Sequence, residues 1–313
     1  MLSHRQLVHA LCLRKHGNFT RAALEANISQ SAFSRSIRNL ESDLGVPLFD
    51  RHKTAVKPTR YGEVFLRRAK SIAADSEELE REMQLMRGLG AGRFAVALGV
   101  YPAEISGNRA LGSMLNDFPK LQYRSYVGNW ELVNEMVLNR TVDIGFATIE
   151  AAETAGNLLV KRVSSREMVL YCRKNHPLAD TAKPSRADLD QFPLVSIRVP
   201  AALADAIPGK ASIDPASGHL VPAVEIDDIT TARTVVSQSD GIGAAVPLQI
   251  ESQLMSGELV LLNFQNPWIK PAYGFLLLEN RAISPAAEVF MEKVIALERD
   301  ADKKNKILLE KYR

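Results

Sequence analysis

The chain has 313 residues, 46% apolar and 24% charged, with a net charge of +3. That is ordinary for a folded globular protein and long enough for two domains. No run approaches the ~18 apolar residues of a membrane-spanning helix, and two cysteines, Cys12 and Cys172, cannot build a disulfide framework or a zinc cluster.

The charge is unevenly spread. Residues 1–60 hold ten Lys/Arg against four Asp/Glu, a surplus of +6, and the remainder is −3. A basic head on a mildly acidic body predicts a polyanion partner for the head alone. The N-terminus has no apolar signal core, so a cytoplasmic, reducing location without a membrane partner is expected.

The spacing predicts a first helix over 4–16, with Leu7, Ala10 and Leu11 inward and Gly17 as its stop. Residues 20–40, TRAALEANISQSAFSRSIRNL, read as two short helices joined by a tight turn. Ala22, Ala23 and Ala26 share the inner face of the first. Asn27 sits where the chain turns, since asparagine tolerates the left-handed conformation, and Ile28 is expected to enter the core. Ser29 is a good cap for the second helix, which buries Phe33, Ile37 and Leu40. Its other face carries Gln30, Ser31, Ser34, Arg35 and Arg38. A short, polar, basic helix on a small apolar scaffold is what the DNA major groove admits. Gly45 ends that helix, Pro47, Leu48 and Phe49 anchor a wing, and residues 50–58 are expected to form a β-ribbon.

Thr59 then caps a long helix over 60–88. Its apolar line is Phe65, Ala69, Ile72, Ser76, Leu79, Met83 and Met86, with alternating steps of four and three. That heptad seam predicts a dimerising linker helix. The alternative is an amphipathic helix packed on its own body. GLGAGR at 88–93 reads as a hinge. The body alternates strands and helices: FAVALGV (94–100), LQYRSYV, a helix at 130–139, VDIGFAT, MVLYCRK, PLVSI, a helix at 228–239, IGAAVP and YGFLLL (273–278). This rhythm predicts an α/β fold with mainly parallel, doubly wound sheets. MVLYCRKNHPLA enters a second lobe and YGFLLL returns to the first, which puts a ligand cleft at the strand ends. The expected domains are 1–59, a linker helix at 60–89, a body at 90–300 and a charged tail at 301–313. Within the body, lobe I covers about 93–163 and 267–300 and lobe II about 164–266.

The segments FTRAALEANISQSAFSRSIRNLESDLGVPLFDR and VKPTRYGE match, in order and spacing, the winged helix-turn-helix of LysR-type transcriptional regulators. GNWELVNEMVLNRTVDIGFAT, MVLYCRKNHPLA and VVSQSDGIGAAVPLQIESQLMSGELVLL resemble that family's effector-binding domain, which is similar to periplasmic solute-binding proteins. Nearly the whole chain is covered. It departs at Ser31, where proline is common, and in the wing RHKTAVKPT, which lacks the usual Arg- and Gly-rich pattern. The resemblance implies a homodimer that assembles into a homotetramer on double-stranded DNA, with RNA polymerase as a further contact. It implies a small-molecule effector and no cofactor or metal.

Candidate DNA contacts follow from side-chain chemistry. Gln30 can pair with adenine and Arg35 can grip the guanine edge. Ser31 and Ser34 suit close approach. Ser29 is a cap that can also meet phosphate, and Arg38 reaches phosphate one turn on. Thr20 and Arg21 position the DNA backbone. Arg51, His52 and Lys53 of the wing meet the minor groove or phosphate. Candidate effector contacts sit at strand ends: Tyr101, Glu104 and Ser106; Gly128, Asn129 and Trp130; Thr148; Ser196, Ile197 and Arg198; and Asp228. Arg198 suits a carboxylate and Tyr101 and Trp130 an apolar part, so a small organic acid or an amino-acid-like metabolite is the expected effector. The competing roles are a neighbouring acid for Arg198, the core for Trp130 and a helix cap for Asp228.

No GxSxG, HExxH, phosphate-loop or dinucleotide fingerprint is present, so no enzyme is expected. Some members of the family that this chain resembles sense peroxide through a cysteine pair in the second lobe, but residues 198–220 hold no cysteine and Cys172 lies within a strand, so a thiol sensor is not expected. The remaining alternative is a ligand-independent architectural DNA-binding protein.

Overall fold

The computed structural model describes residues 2–51, 56–86, 92–264, 270–279 and 281–312. In the linker helix, Leu79 and Met83 are the side chains described beyond residue 76. The chain forms two compact units, residues 1–86 and 87–313.

The head opens with α1 (His4–His16), capped reciprocally by Ser3 and Gln6 and ended by Gly17 at φ 58°. Asn18 caps α2 (Phe19–Glu25), its side chain accepting from the amides of Thr20 and Arg21. Asn27 takes φ 55°. Its amide donates to Leu24 and that of Ile28 donates to Ala23, which closes α2 in the manner of a Schellman turn. That closure leaves Ile28 36% exposed, outside the core it was expected to enter. Phe19 and His9 pack around Phe33 instead. α3 (Gln30–Leu44) buries Phe33, Ile37 and Leu40 against Leu13, Ala22, Ala23, Leu48 and Phe49.

The wing ribbon pairs β1 (Phe49–Arg51) antiparallel with β2 (Val56–Pro58). Glu41 ties it to α3 by accepting from the amides of Leu48 and Phe49 at 2.9 and 3.1 Å. Thr59 caps α4 (Arg60–Met86), accepting from Gly62 at 3.0 Å. The expected seam divides. Phe65 packs on the head's core and Ala69 is buried with Leu66 and Ala73. Ile72, Leu79 and Met83 stand 49%, 58% and 48% exposed. The Met86 side chain lies outside the described residues, as does most of the 88–93 segment.

The body carries two five-stranded sheets among the described residues. The first is built from β3 (Gly92–Gly99), β4 (Leu121–Gly128), β5 (Ile144–Thr148), β6 (Leu159–Ser165) and a late strand, Ala272–Leu277. β3 runs parallel to β4 and β5, while the late strand lies antiparallel between β5 and β6. The second sheet contains β7 (Val169–Arg173), β8 (Leu194–Ser196), β11 (Val224–Glu225), β12 (Ile242–Ala245) and β13 (Leu259–Leu261). A hairpin of β9 (Ala211–Ile213) and β10 (Leu220–Pro222) stands beside it, and Ala272–Leu277 completes the series as β14. β8 is parallel to β11 and β12, whereas β7 is antiparallel to β12 and β13.

Half of the pairings in these two sheets are therefore antiparallel, not mainly parallel as expected. The reason is the double crossing. β6 passes into β7 over residues 166–168 with no helix to reverse the direction, and β14 lies antiparallel to both β5 and β6. The charged tail is helical. It continues a terminal helix, Pro285–Tyr312, whose Ala301, Asn305 and Leu308 are buried.

Two histidines are held neutral. Burial and the nearby Arg5 charge lower the pKa of His9, whose Nδ1 lies 2.8 Å from the Ser36 hydroxyl. Burial lowers that of His176, whose Nδ1 accepts from the Leu178 amide at 3.0 Å. A folded pKa below the unfolded value of about 6.5 means that the unfolded state binds more protons in between. The stability is full above the unfolded value and is lost as pH falls toward the folded one. Thermal unfolding of both units is expected to shift to lower temperature between about pH 7.5 and 5.5. His176→Asn should flatten that shift for the body, and an unchanged slope would refute the assignment.

Candidate DNA-reading face and effector cleft

On the head, Gln30, Ser31, Arg35 and Arg38 are exposed along one face of α3, with Ser34 half-buried beside them. The Gln30 and Arg35 side chains make no hydrogen bond or ion pair among the described residues. The Ser29 hydroxyl accepts from the Ala32 amide at 3.3 Å and lies 3.1 Å from that of Ser31, so its capping role is present. Arg38 donates from Nε to the Ser34 carbonyl at 3.3 Å. The Thr20 and Arg21 side chains are exposed, but Asn18 takes both backbone amides at 2.8 and 3.1 Å. Only their side chains remain for phosphate. Beside them, Lys15 and His16 converge on Glu25, whose carboxyl they hold down to about 2. That cluster ties up Lys15, one of the head's basic side chains. His52, Lys53 and the Arg51 side chain lie outside the described residues.

In the body, a cleft of about 470 Å³, open mouth included, lies between the lobes. It gathers five of the expected residues: Tyr101, Thr148, Ser196, Ile197 and Arg198. Tyr101 crosses from lobe I, its hydroxyl 3.4 Å from that of Ser196 and donating to the Ala244 carbonyl at 3.3 Å. Burial pushes that phenol up to about 12, so it acts as a neutral donor.

The other six do not line the cleft. Glu104 turns away to pair with Arg233 at 2.7 Å and accepts from Gln249 at 3.1 Å. Ser106 is buried and donates to Glu298. Asn129 caps the helix Trp130–Leu138 by accepting from Leu132. A Cβ on Gly128 would stand 2.5 Å from Leu132 Cδ2, so this glycine serves packing. Trp130 is buried edge-on to His219, ring centres 4.9 Å apart. Asp228 caps the helix Ile229–Ser237 through the Thr231 amide at 2.8 Å. Arg198 is also corrected. Its Nε and Nη2 each lie 3.2 Å from Glu225, which occupies the fork expected to hold a ligand carboxylate.

Residues 4–63 match the bacterial regulatory helix-turn-helix of the lysR family, and residues 87–297 match the LysR substrate binding domain. The chain belongs to the LysR family of transcriptional regulators. Among its relatives, it is 30% identical over 301 residues to the SDS degradation transcriptional activation protein of Pseudomonas sp. (strain ATCC 19151), covering 95% of this chain and 96% of the relative. A full-length OxyR variant from Pseudomonas aeruginosa shares the fold at TM-score 0.63 and 17% identity, over 96% and 95% of the two chains. Full-length CbnR, solved in complex with its target DNA, does so at 0.57 and 17%, over 95% and 100%.

For this LysR regulator the cleft walls missed from the sequence are apolar: Met168 and Pro271 on the two crossings, and Val199, Pro200, Leu203, Ala206 and Ile207 after Arg198. The run VPAALADAI directly behind PLVSI is a local signal for the second group. The crossings carry no such signal. Among the described residues no group of His, Cys, Asp or Glu is placed to hold a metal, and no helix is long and apolar enough to cross a membrane.

Proposed function

We propose that this LysR-family regulator binds an inverted-repeat operator as a dimer and that a small molecule in the interlobe cleft alters that binding. The observation that carries the DNA half is the α3 face: exposed Gln30, Ser31, Arg35 and Arg38 over buried Phe33, Ile37 and Leu40. Gln30 and Arg35 read base edges, with Ser31 and Ser34 in close approach. Thr20, Arg21, Ser29, Arg38 and the wing residues Arg51, His52 and Lys53 meet the backbone. The exposed line of Ile72, Leu79 and Met83 is the part of α4 left for a partner helix, which would hold two heads at half-site spacing. Assembly into a tetramer and contact with RNA polymerase belong to the same proposal. Ligand in the cleft shifts the population between two assemblies by favouring one lobe arrangement.

The test is footprinting of the strongest genomic site at fixed salt, with Arg35→Ala beside the parent. The variant is expected to lose about 1–3 kcal/mol of discrimination at the base it contacts. Equal losses on operator and random DNA would remove Arg35 as a reader. Diffuse, salt-dependent binding by the parent itself would favour the architectural alternative.

A further inference from the structure

We infer that the cleft selects an uncharged, mainly apolar ligand with one hydrogen-bonding end, and that Glu225 enforces this by occupying Arg198. The inference rests on reading the cleft as the effector site, and it replaces the organic acid expected from the sequence.

The argument is a census of what a ligand meets. The walls are aliphatic, from Met168, Leu203 and Ile207 to Pro271. Arg198 is the one charged side chain among the described lining residues, and its Nε/Nη2 edge is taken by Glu225 at two points of 3.2 Å. Glu131 and Asp214 lie close enough to act on the same guanidinium. The Arg198 charge is therefore already answered within the protein, by Glu225 first. Glu225 takes the Nε and Nη2 edge, so an entering carboxylate meets the remaining Nη1 side of a guanidinium whose charge is already balanced, and does so beside the Glu225 carboxylate itself. Left in the apolar part, the carboxylate would lose its water against hydroxyls alone. The other polar groups of the wall with capacity to spare are neutral. The Thr148 hydroxyl makes no hydrogen bond among the described residues, and Ser196 shares its hydroxyl with Tyr101 alone. Tyr101 already spends its proton within the protein. One hydroxyl or carbonyl group on an apolar body satisfies this set, and a charge of either sign does not.

Calorimetric titration of the full-length protein with 1-octanol, octanoate and octylamine separates the classes at constant chain length. The alcohol is expected to bind at least about tenfold tighter than octanoate. Glu225→Gln frees Arg198, and should strengthen octanoate binding by about tenfold while leaving the alcohol unchanged. Leu203→Glu, which puts an acid into the cleft wall, should abolish alcohol binding. Tighter binding of octanoate or octylamine by the parent overturns the inference. So does binding of none of the three, an unchanged ranking in Glu225→Gln, or alcohol binding that survives Leu203→Glu. An operator footprint recorded on each protein without ligand keeps the two levels apart. Loss of the parent's footprint would count against the regulator reading, whereas an intact footprint with the wrong ranking would count against the selectivity alone.

Discussion

Glu298→Ala is expected to cost the body about 3–5 kcal/mol, the range for removing one partner of a buried ion pair. The Glu298 and Arg166 side chains are 3% and 2% exposed, and their charged atoms meet at 2.5 Å. Arg166 also reaches the Glu298 carbonyl at 2.9 Å and Asp302 at 2.8 Å. Ser164 donates to the carboxylate at 2.8 Å, and Ser106 donates to its other oxygen. Alanine would leave a buried guanidinium short of a counter-charge and two buried hydroxyls without their acceptor. Glu298→Gln keeps an acceptor and should cost less. Both tryptophans of the chain, Trp130 and Trp268, belong to the body sequence, so their fluorescence in urea reports body unfolding without the head. A midpoint unchanged in Glu298→Ala would refute the network's structural weight.

Gly62→Ala should destabilise the head by about 2–4 kcal/mol, although alanine is ordinarily the better helix residue. A Cβ at this position would stand 2.0 Å from the Leu48 carbonyl oxygen and 3.2 Å from Pro58 Cβ. That same carbonyl accepts from the Thr59 amide at 2.9 Å, so opening the gap breaks the bond that starts α4. The helix and the wing entry approach so closely that only a hydrogen fits between them. The expected readout is a lowered thermal transition of the head and weakened DNA binding, with the tryptophan transition of the body unmoved. A head as stable as the parent would show that the wing entry yields freely.

The head was legible because its determinants are local. Caps, the Asn27 turn and the four- and three-residue spacing of Phe33, Ile37 and Leu40 all lie within one short stretch. Ile28 was misread because the turn's closure, not its hydrophobicity, aims the side chain. The α/β class was also legible, since each strand is a compact apolar run. The cleft was half legible. Strand ends could be named, but no spacing reveals that Glu225 closes on Arg198 or that Tyr101 crosses to Ser196. Asp228 and Asn129 have the sequence signature of caps and serve as caps. Glu298, within EKVIALERD, reads as a surface charge. Only the fold brings Arg166 from the first crossing to meet it.

The placement of β14 has a consequence for the order in which the protein is made. Every strand of the second sheet comes from residues 169–261, so that lobe can pair its strands once they have left the ribosome. The first sheet cannot do so. Among the described residues β6 pairs with β14 alone, and β5 needs β14 on one side. Until residues 272–277 emerge, the earlier lobe lacks the partner of one strand and keeps an open edge, while the later lobe has all of its strands at hand. Vectorial synthesis thus supplies the full strand set of the head first, that of the second lobe next and that of the first lobe last. A chain interrupted just before β14 carries every strand of the second sheet beside a first sheet with an open, adhesive edge.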